Sequence, residues 1–146
     1  MSTKTVERAS TLINSKANYV GGGMEGCCVL SLIDESGYPS ASTLTIARAD
    51  GVNWLTFATS PGSNKANRIA KNSKASVCIS SSEYNVTLVG TVEVITDLAV
   101  KKDMFFEPMK HMWSGPDDPN FYAFKFNTER YNIFFADDIS EAVGTL

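Results

Sequence analysis

The chain is poor in the residues that build most catalytic and metal centres. It has one histidine, His111, and three cysteines in 146 residues. One imidazole gives no basis for a Ser-His-Asp set. Cys27 and Cys28 are adjacent and Cys78 stands alone in an apolar run. That spacing fits neither a disulfide framework nor a zinc site, and the thiols read as small, buried and reduced. No basic tract exists and the net charge is −3, so nucleic-acid binding through phosphate neutralisation is not expected. No apolar run approaches the roughly 18 residues needed to span a bilayer. The opening stretch, MSTKTVERASTLINSK, has no continuous hydrophobic region and does not read as a signal peptide. A cytoplasmic location is the expectation.

What is present describes an ordinary globular domain. The hydrophobic fraction is 43% and the charged fraction 20%, and this length reads as a single domain over residues 1–146 that can bury a proper core. Thr3 to Ser15 has Val6, Ala9, Leu12 and Ile13 at helical spacing, which places an N-terminal helix within residues 1–18. Gly21-Gly22-Gly23 reads as a loop, and it lacks the Lys-Ser/Thr pair of a nucleotide-triphosphatase phosphate loop. Strands are expected at Cys28–Ile33, Ser40–Ala47, Val52–Thr59, Ala75–Ser80, Tyr84–Ile95 and from Phe121 to Phe135. Along the second, Ser42, Leu44 and Ile46 point one way and Ala41, Thr43 and Thr45 the other. Asp97 reads as an N-cap to a helical segment ending near Trp113, which Pro108 must kink or split. Residues 137–146 read as a loosely held polar tail. Strands that do not alternate regularly with helices argue for an antiparallel β-barrel with helices at its edges, and against a doubly wound parallel sheet.

The stretch from Trp54 to Asn72, WLTFATSPGSNKANRIAKN, organises the rest. An apolar strand breaks at Ser60-Pro61-Gly62, and a helix begins near Ser63. Ser60, Ser63, Asn64 and Lys65 then gather at one helix start, a setting that suits an anion, phosphate above all. The plainer reading of Lys65 is a solvated first-turn lysine, although that position opposes the helix dipole. Ser42 and Thr43 read equally as an exposed edge strand. His111, beside Met109, Met112 and Trp113, reads as helix packing or surface before it reads as a haem ligand. The run from Met104 to Met112 reads as core or as a contact between two copies. Asp117 and Asp118 sit between Pro116 and Pro119 and read as turn formers or caps, with no metal expected.

The collinear order of these pieces is informative. Gly37-Tyr38-Pro39 turns one strand into the next, an Asp50-Gly51 hairpin leads into WLTFAT, and Ser63-Asn64-Lys65 opens a helix. A later strand carries Leu88, Gly90 and Val94, followed by a helix, Trp113 and Gly115-Pro116-Asp117-Asp118-Pro119. From about residue 5 to 136 the chain resembles the pyridoxamine 5′-phosphate oxidase-like FMN-binding split-barrel family, in its general-stress-protein branch. The resemblance implies a split β-barrel fold, mainly β with flanking helices, and a homodimer with FMN in grooves between two copies. Carried over by position, Ser42, Thr43 and Leu44 would lie against the isoalloxazine ring, and Ala58 and Thr59 would pass along the cofactor. Ser63, Asn64 and Lys65 would hold its phosphate. Thr87 and Trp113 would contact it from the partner subunit. FAD, a deazaflavin and haem are the alternative cofactors.

The resemblance implies a flavin-dependent oxidoreductase in which the flavin carries electron or hydride chemistry and no side chain need act as acid or base. The small-molecule substrate or electron carrier is unspecified. Two other outcomes stay open: a flavin-binding stress-response module without turnover, and a cofactor-free structural homodimer. The family commonly has Arg where Asn64 stands, and its namesakes carry cations for a substrate phosphate where this chain has Ile46-Ala47-Arg48. They also end in a basic segment, whereas this chain ends Glu141-Ala142-Val143-Gly144-Thr145-Leu146. Vitamin B6 phosphate is therefore not the expected substrate.

Overall fold

A computed structural model describes residues 3–21 and 23–146; Gly22, the middle of the triple glycine, lies outside the described residues. Helix α1 (Thr3–Lys16) is followed by strands β1 (Cys27–Ile33), β2 (Pro39–Asp50) and β3 (Trp54–Thr59). A 3-10 turn (Pro61–Ser63) leads into α2 (Lys65–Lys71), then β4 (Lys74–Ser80) and β5 (Tyr84–Ile95). Helix α3 (Leu98–Met104) and a 3-10 segment (Glu107–His111) precede β6 (Tyr122–Phe135) and β7 (Ser140–Thr145). Among the described residues, no helix is long and apolar enough to cross a membrane.

All pairings are antiparallel, in the order β3-β2-β1-β4-β5-β6-β7, and a further pairing of β3 with β6 closes the first six strands into a barrel. Strand β6 makes closure compatible with a seventh strand. Its first half, Tyr122–Asn127, pairs with β3, while Arg130–Phe135 pairs with β7. Strand β5 runs along both halves, and the register slips at Val89/Gly90, where the ladder bends between them.

Alternation along each strand fills the barrel. Leu30, Leu32, Ile46, Leu55, Phe57, Val77, Leu88, Phe124, Phe126 and Ile133 are all buried in one cluster, and α1 lays Ala9 and Ile13 onto it. A second, smaller cluster lies under α3 and the 3-10 segment. It joins Ala47, Ile95, Met104, Phe106, Met109, Trp113 and Phe121. Most of the Met and Phe run is therefore core, but Met112 is 67% exposed. The helical segment breaks at Phe105 and Phe106, ahead of Pro108, which sits in the first turn of the 3-10 segment. Proline is tolerated there, and it disfavours helix in the residue before it. Asp97 caps α3 as expected, its Oδ1 accepting from the Ala99 N–H at 2.9 Å.

The tail corrects the sequence reading. Residues 137–146 are not loosely held; Ser140–Thr145 forms β7, six residues in register with β6, and Ala142 is buried. Its cause is distant in sequence. Arg8 of α1 donates Nη1 to Asp137 Oδ1 at 2.9 Å and Nη2 to Oδ2 at 2.8 Å. The guanidinium also lies 3.9 Å over the Phe135 ring. That bidentate contact pins the β6–β7 turn against the helix.

Gly90 marks the tightest point of the bend. A Cβ there would meet the Asn127 carbonyl oxygen at 2.0 Å. Gly90→Ala is expected to destabilise the fold by at least about 1–3 kcal/mol, the usual range for overpacking, read as a lower denaturation midpoint.

Candidate functional site

The site grows from an unfinished pairing. Strand β3 pairs with β2 only over Ile46–Asp50 and then turns to β6, ending at Thr59. Residues Pro39–Thr45 of β2 are bonded to β1 alone. The Ile46 N–H is directed to Gly26 O on the β1 side, at 2.9 Å. Strand alternation therefore turns the backbone N–H and C=O of Thr43 and Thr45 to the edge where β3 is missing.

That edge borders a cleft of about 240 Å³, lined by Thr43, Leu44, Thr45, Ala58, Thr59, Ser60, Phe106, Pro108, Met109, Met112 and Trp113. One side is small and polar; the other is an apolar wall from the second core. The Trp113 indole N–H donates to Asn120 O at 2.8 Å, and its ring meets Phe121 edge-on at 5.0 Å, which fixes the wall. Asp118 holds the loop behind it, accepting from the Ser114 N–H at 3.0 Å and the Asn120 N–H at 2.9 Å. These bonds pull the Asp118 carboxyl below its ordinary range. No lining side chain is an acid or a base.

Beyond Ser60 the chain makes its 3-10 turn. Thr59 Oγ1 donates to Ser63 Oγ at 3.2 Å, and Ser63 Oγ donates to Ser60 O at 2.9 Å. Asn64 then takes a left-handed conformation, φ 61°, and α2 starts at Lys65 without a side-chain cap. Helix α2 has seven residues, so the anion-favouring element here is Lys65 itself. Its side chain is buried, and no carboxylate among the described residues lies within 4.0 Å of its ammonium. Burial, and then the charge of Arg68, push that ammonium below its ordinary range. The stem is buried while the ammonium keeps some contact with solvent, so the cost of leaving it without a carboxylate is partial, and a neighbouring anion would offset it.

Of the residues expected at the site, the cleft gathers Thr43, Leu44, Ala58, Thr59 and Trp113, the last from the same chain. Ser63 joins them through Thr59. Ser42 is half-buried on the opposite side of β2 from Thr43 and does not line the cleft. The Asn64 side chain, expected at a phosphate, is engaged within the protein: its amide nitrogen donates to Glu35 Oε1 and its oxygen accepts from Asn67 Nδ2 at 2.8 Å. Thr87 lies on the outer face of β5, in a separate concavity with Val89, Arg130 and Asn132. Sequence reasoning missed Thr45 and Phe106 as lining. The signal available was the Met and Phe run, whose buried members also form the wall.

Two further groups bear on chemistry. Arg48, the one candidate cation for a substrate phosphate, is committed to the scaffold. It donates to Ala47 O at 3.0 Å and to Asp103 O, and pairs with the Asp103 carboxylate at 3.7 Å. His111 lines a second cleft of about 320 Å³ with Tyr19, Cys27 and Glu107, which shares Thr45 and Pro108 with the first. No group of three or more His, Cys, Asp or Glu among the described residues could hold a metal ion.

A six-stranded antiparallel barrel with one strand edge left open beside a helical wall defines the split-barrel class. Within it, the chain belongs to the pyridoxamine 5′-phosphate oxidase family, whose model matches residues 24–134. A Clostridium acetobutylicum protein related to general stress protein 26 has a similar structure, with TM-score 0.81 and 20% identity over 98% of this chain and 95% of that one. An FMN-binding, pyridoxamine 5′-phosphate oxidase-related protein of Nostoc punctiforme gives TM-score 0.66 and 14% identity over 99% and 96%. A heme binding protein of Mycobacterium smegmatis gives 0.70 and 19% over 94% and 56%. No curated protein matches the chain.

Glu35 supplies a pH test of the site's support. Hydrogen bonding from Arg68 is the first cause that lowers its carboxyl from 4.5 to about 2. A depressed carboxyl stabilises the fold above its unfolded value and loses that contribution as pH falls through the folded value. The melting-temperature gap between the natural protein and Glu35→Gln is therefore expected to hold from neutral pH to about 4.5 and to close as pH approaches 2.

Proposed function

We propose that the protein binds FMN in the cleft between β2 and the 3-10 segment, as a homodimer, and acts as a flavin-dependent oxidoreductase. The observation that carries this reading is the open edge of β2 at Thr43 and Thr45, facing an apolar wall, with Lys65, which has no carboxylate partner among the described residues, following Ser60 in the chain. The donor set fits the group. Backbone N–H and C=O groups at the free edge suit the polar rim of an isoalloxazine. Leu44, Ala58, Phe106, Met109 and Trp113 suit its apolar body. Lys65, with the hydroxyls of Ser60 and Ser63, suits a phosphate. The FMN-binding relative and the family match support the same assignment over FAD or a deazaflavin.

Bound FMN would supply the electron or hydride chemistry. The chain's own part is to hold and orient it and to exclude water from one ring face. A lining without an acid or base leaves no side chain in the cleft to move a proton. Arg48, the candidate cation for a phosphorylated vitamin B6 substrate, is engaged with Ala47 and Asp103, which weighs against that substrate. A place among the general stress proteins agrees with a small flavoprotein of this kind.

A second copy of the chain is supported by the outer face of the barrel. Val29, Ser31, Ser76, Cys78, Thr87 and Val89 share that face on three neighbouring strands and carry no charge. Val29 is also in register with Thr43 at the cleft. Depletion of charge is what the centre of an interface requires. Thr87 lies on this patch, which supports the reading of a contact across two copies.

Visible absorption after adding FMN and desalting tests the cofactor. Flavin bands that co-elute with protein are expected. A colourless product defeats the reading, and a sharp Soret band in the protein as purified moves attention to haem and His111. Lys65→Ala is expected to weaken FMN binding about ten-fold or more, since hydrogen bonds to charged groups contribute roughly 1.5–3 kcal/mol. Unchanged affinity by titration removes the phosphate assignment. Light scattering is expected to give twice the 15.8 kDa chain mass, and Val29→Arg to reduce it to the monomer and release FMN.

A further inference from the structure

The turn between β1 and β2 reaches across to the junction that precedes Lys65. That turn is rigid: Asp34 Oδ1 accepts from the Ser36 and Tyr38 N–H groups, each at 2.9 Å, and Gly37 takes φ 84°. It presents Glu35, whose Oε1 accepts from Asn64 Nδ2 and from Arg68 Nε at 3.0 Å, while Oε2 accepts from Arg68 Nη2 at 3.3 Å. One carboxylate thus ties the bend residue Asn64 and the first turn of α2, through Arg68, to a fixed point on the barrel. The bend needs such a tie. Asn64 is a non-glycine residue at φ 61°, a conformation L-residues adopt at a cost. The next residue is Lys65, and its backbone direction is set by the Asn64 dihedrals.

The carboxylate has a second effect. Arg68 lies near enough to Lys65 to lower its proton affinity. Paired with Glu35, the guanidinium is held in the cleft between the turn and α2, which it lines with Asn64 and Asn67. Glu35 has a half-exposed side chain, so its influence is geometric before it is electrostatic, because solvent screens the pair.

We infer that Glu35 is a positioning residue for the phosphate of the bound cofactor: by holding Asn64 in its left-handed bend, it sets where Lys65 stands. The inference rests on the phosphate reading of Lys65 and adds a distinct claim, that selectivity for a 5′-phosphate is imposed from the β1–β2 turn. It also gives Asn64 a conformational role in place of a direct contact.

Binding of FMN and of riboflavin, which lacks the phosphate, separates the possibilities. Dissociation constants for both are measured by flavin fluorescence on the natural protein, Glu35→Ala and Asn64→Ala. The natural protein is expected to prefer FMN. Each variant is expected to lose about ten-fold in FMN affinity, the scale of one charge-assisted contact, while riboflavin binding stays within about two-fold. Unchanged FMN affinity overturns the inference. An equal loss for both ligands also overturns it, because a merely structural role weakens the whole cleft. Should Glu35→Ala fail to fold, Glu35→Ser takes its place and decides, because a loss in Asn64→Ala by itself would follow equally from a direct contact of Asn64 with the phosphate. If the natural protein binds FMN and riboflavin equally, the phosphate reading itself falls, and this inference with it.

Discussion

Backbone hydrogen bonding in a closed barrel is a finite resource, and the rest of this structure follows from where β3 uses it. Strand β3 has six residues, and its two edges must serve β2 and β6. It pairs with β6 along its whole length but with β2 only beyond Ile46. The barrel is therefore complete at one end of β2 and open at the other. An exposed strand edge is a row of unpaired donors and acceptors that a fold must cover or use. Here the chain faces it with the 3-10 segment and leaves a cleft between them.

The helical wall has the stability to do this because it owns a core. Met104, Phe106, Met109, Trp113 and Phe121 pack together apart from the barrel interior. The wall is thus held by its own buried side chains, and the cleft does not have to close for the fold to persist. Its lining is chemically quiet, with threonine, serine, methionine and aromatic groups and no titratable side chain. Such a lining offers no side chain that could give or take a proton.

Charge is concentrated at the margin. Lys65 and Arg68 stand within one turn of α2, but only Arg68 has a carboxylate partner, Glu35. The asymmetry leaves Lys65 without a carboxylate partner among the described residues and makes Arg68 part of the scaffold. Arg8 and Arg48 are scaffold in the same sense, one tying α1 to the β6–β7 turn and the other tying β2 to the end of α3. Surface pairs of this kind add little stability each, but they fix which segments meet.

Much of this was legible in sequence because it is local. Period-two patterns in Cys28–Ile33 and Tyr84–Ile95, the Asp50-Gly51 hairpin, the Asp97 cap and the break at Ser60-Pro61-Gly62 depend on near neighbours, and with the family resemblance they determined the split barrel and half the cleft. The tail was not legible: a polar stretch becomes β7 because β6 has a free edge there and Arg8, far away in sequence, holds the turn. Thr43 and Thr45 matter through a pairing that β3 fails to make, which no pattern inside β2 reveals. Asn64 was expected to touch an anion, whereas Glu35 had already claimed its side chain from another turn. The sequence by itself determined the first six strands, the hairpins and the cation at Lys65, because short-range sterics and hydrophobic alternation set them. Only the tertiary structure decided which strand edge stays open and which charges are already paired, because both depend on what distant segments leave unsatisfied.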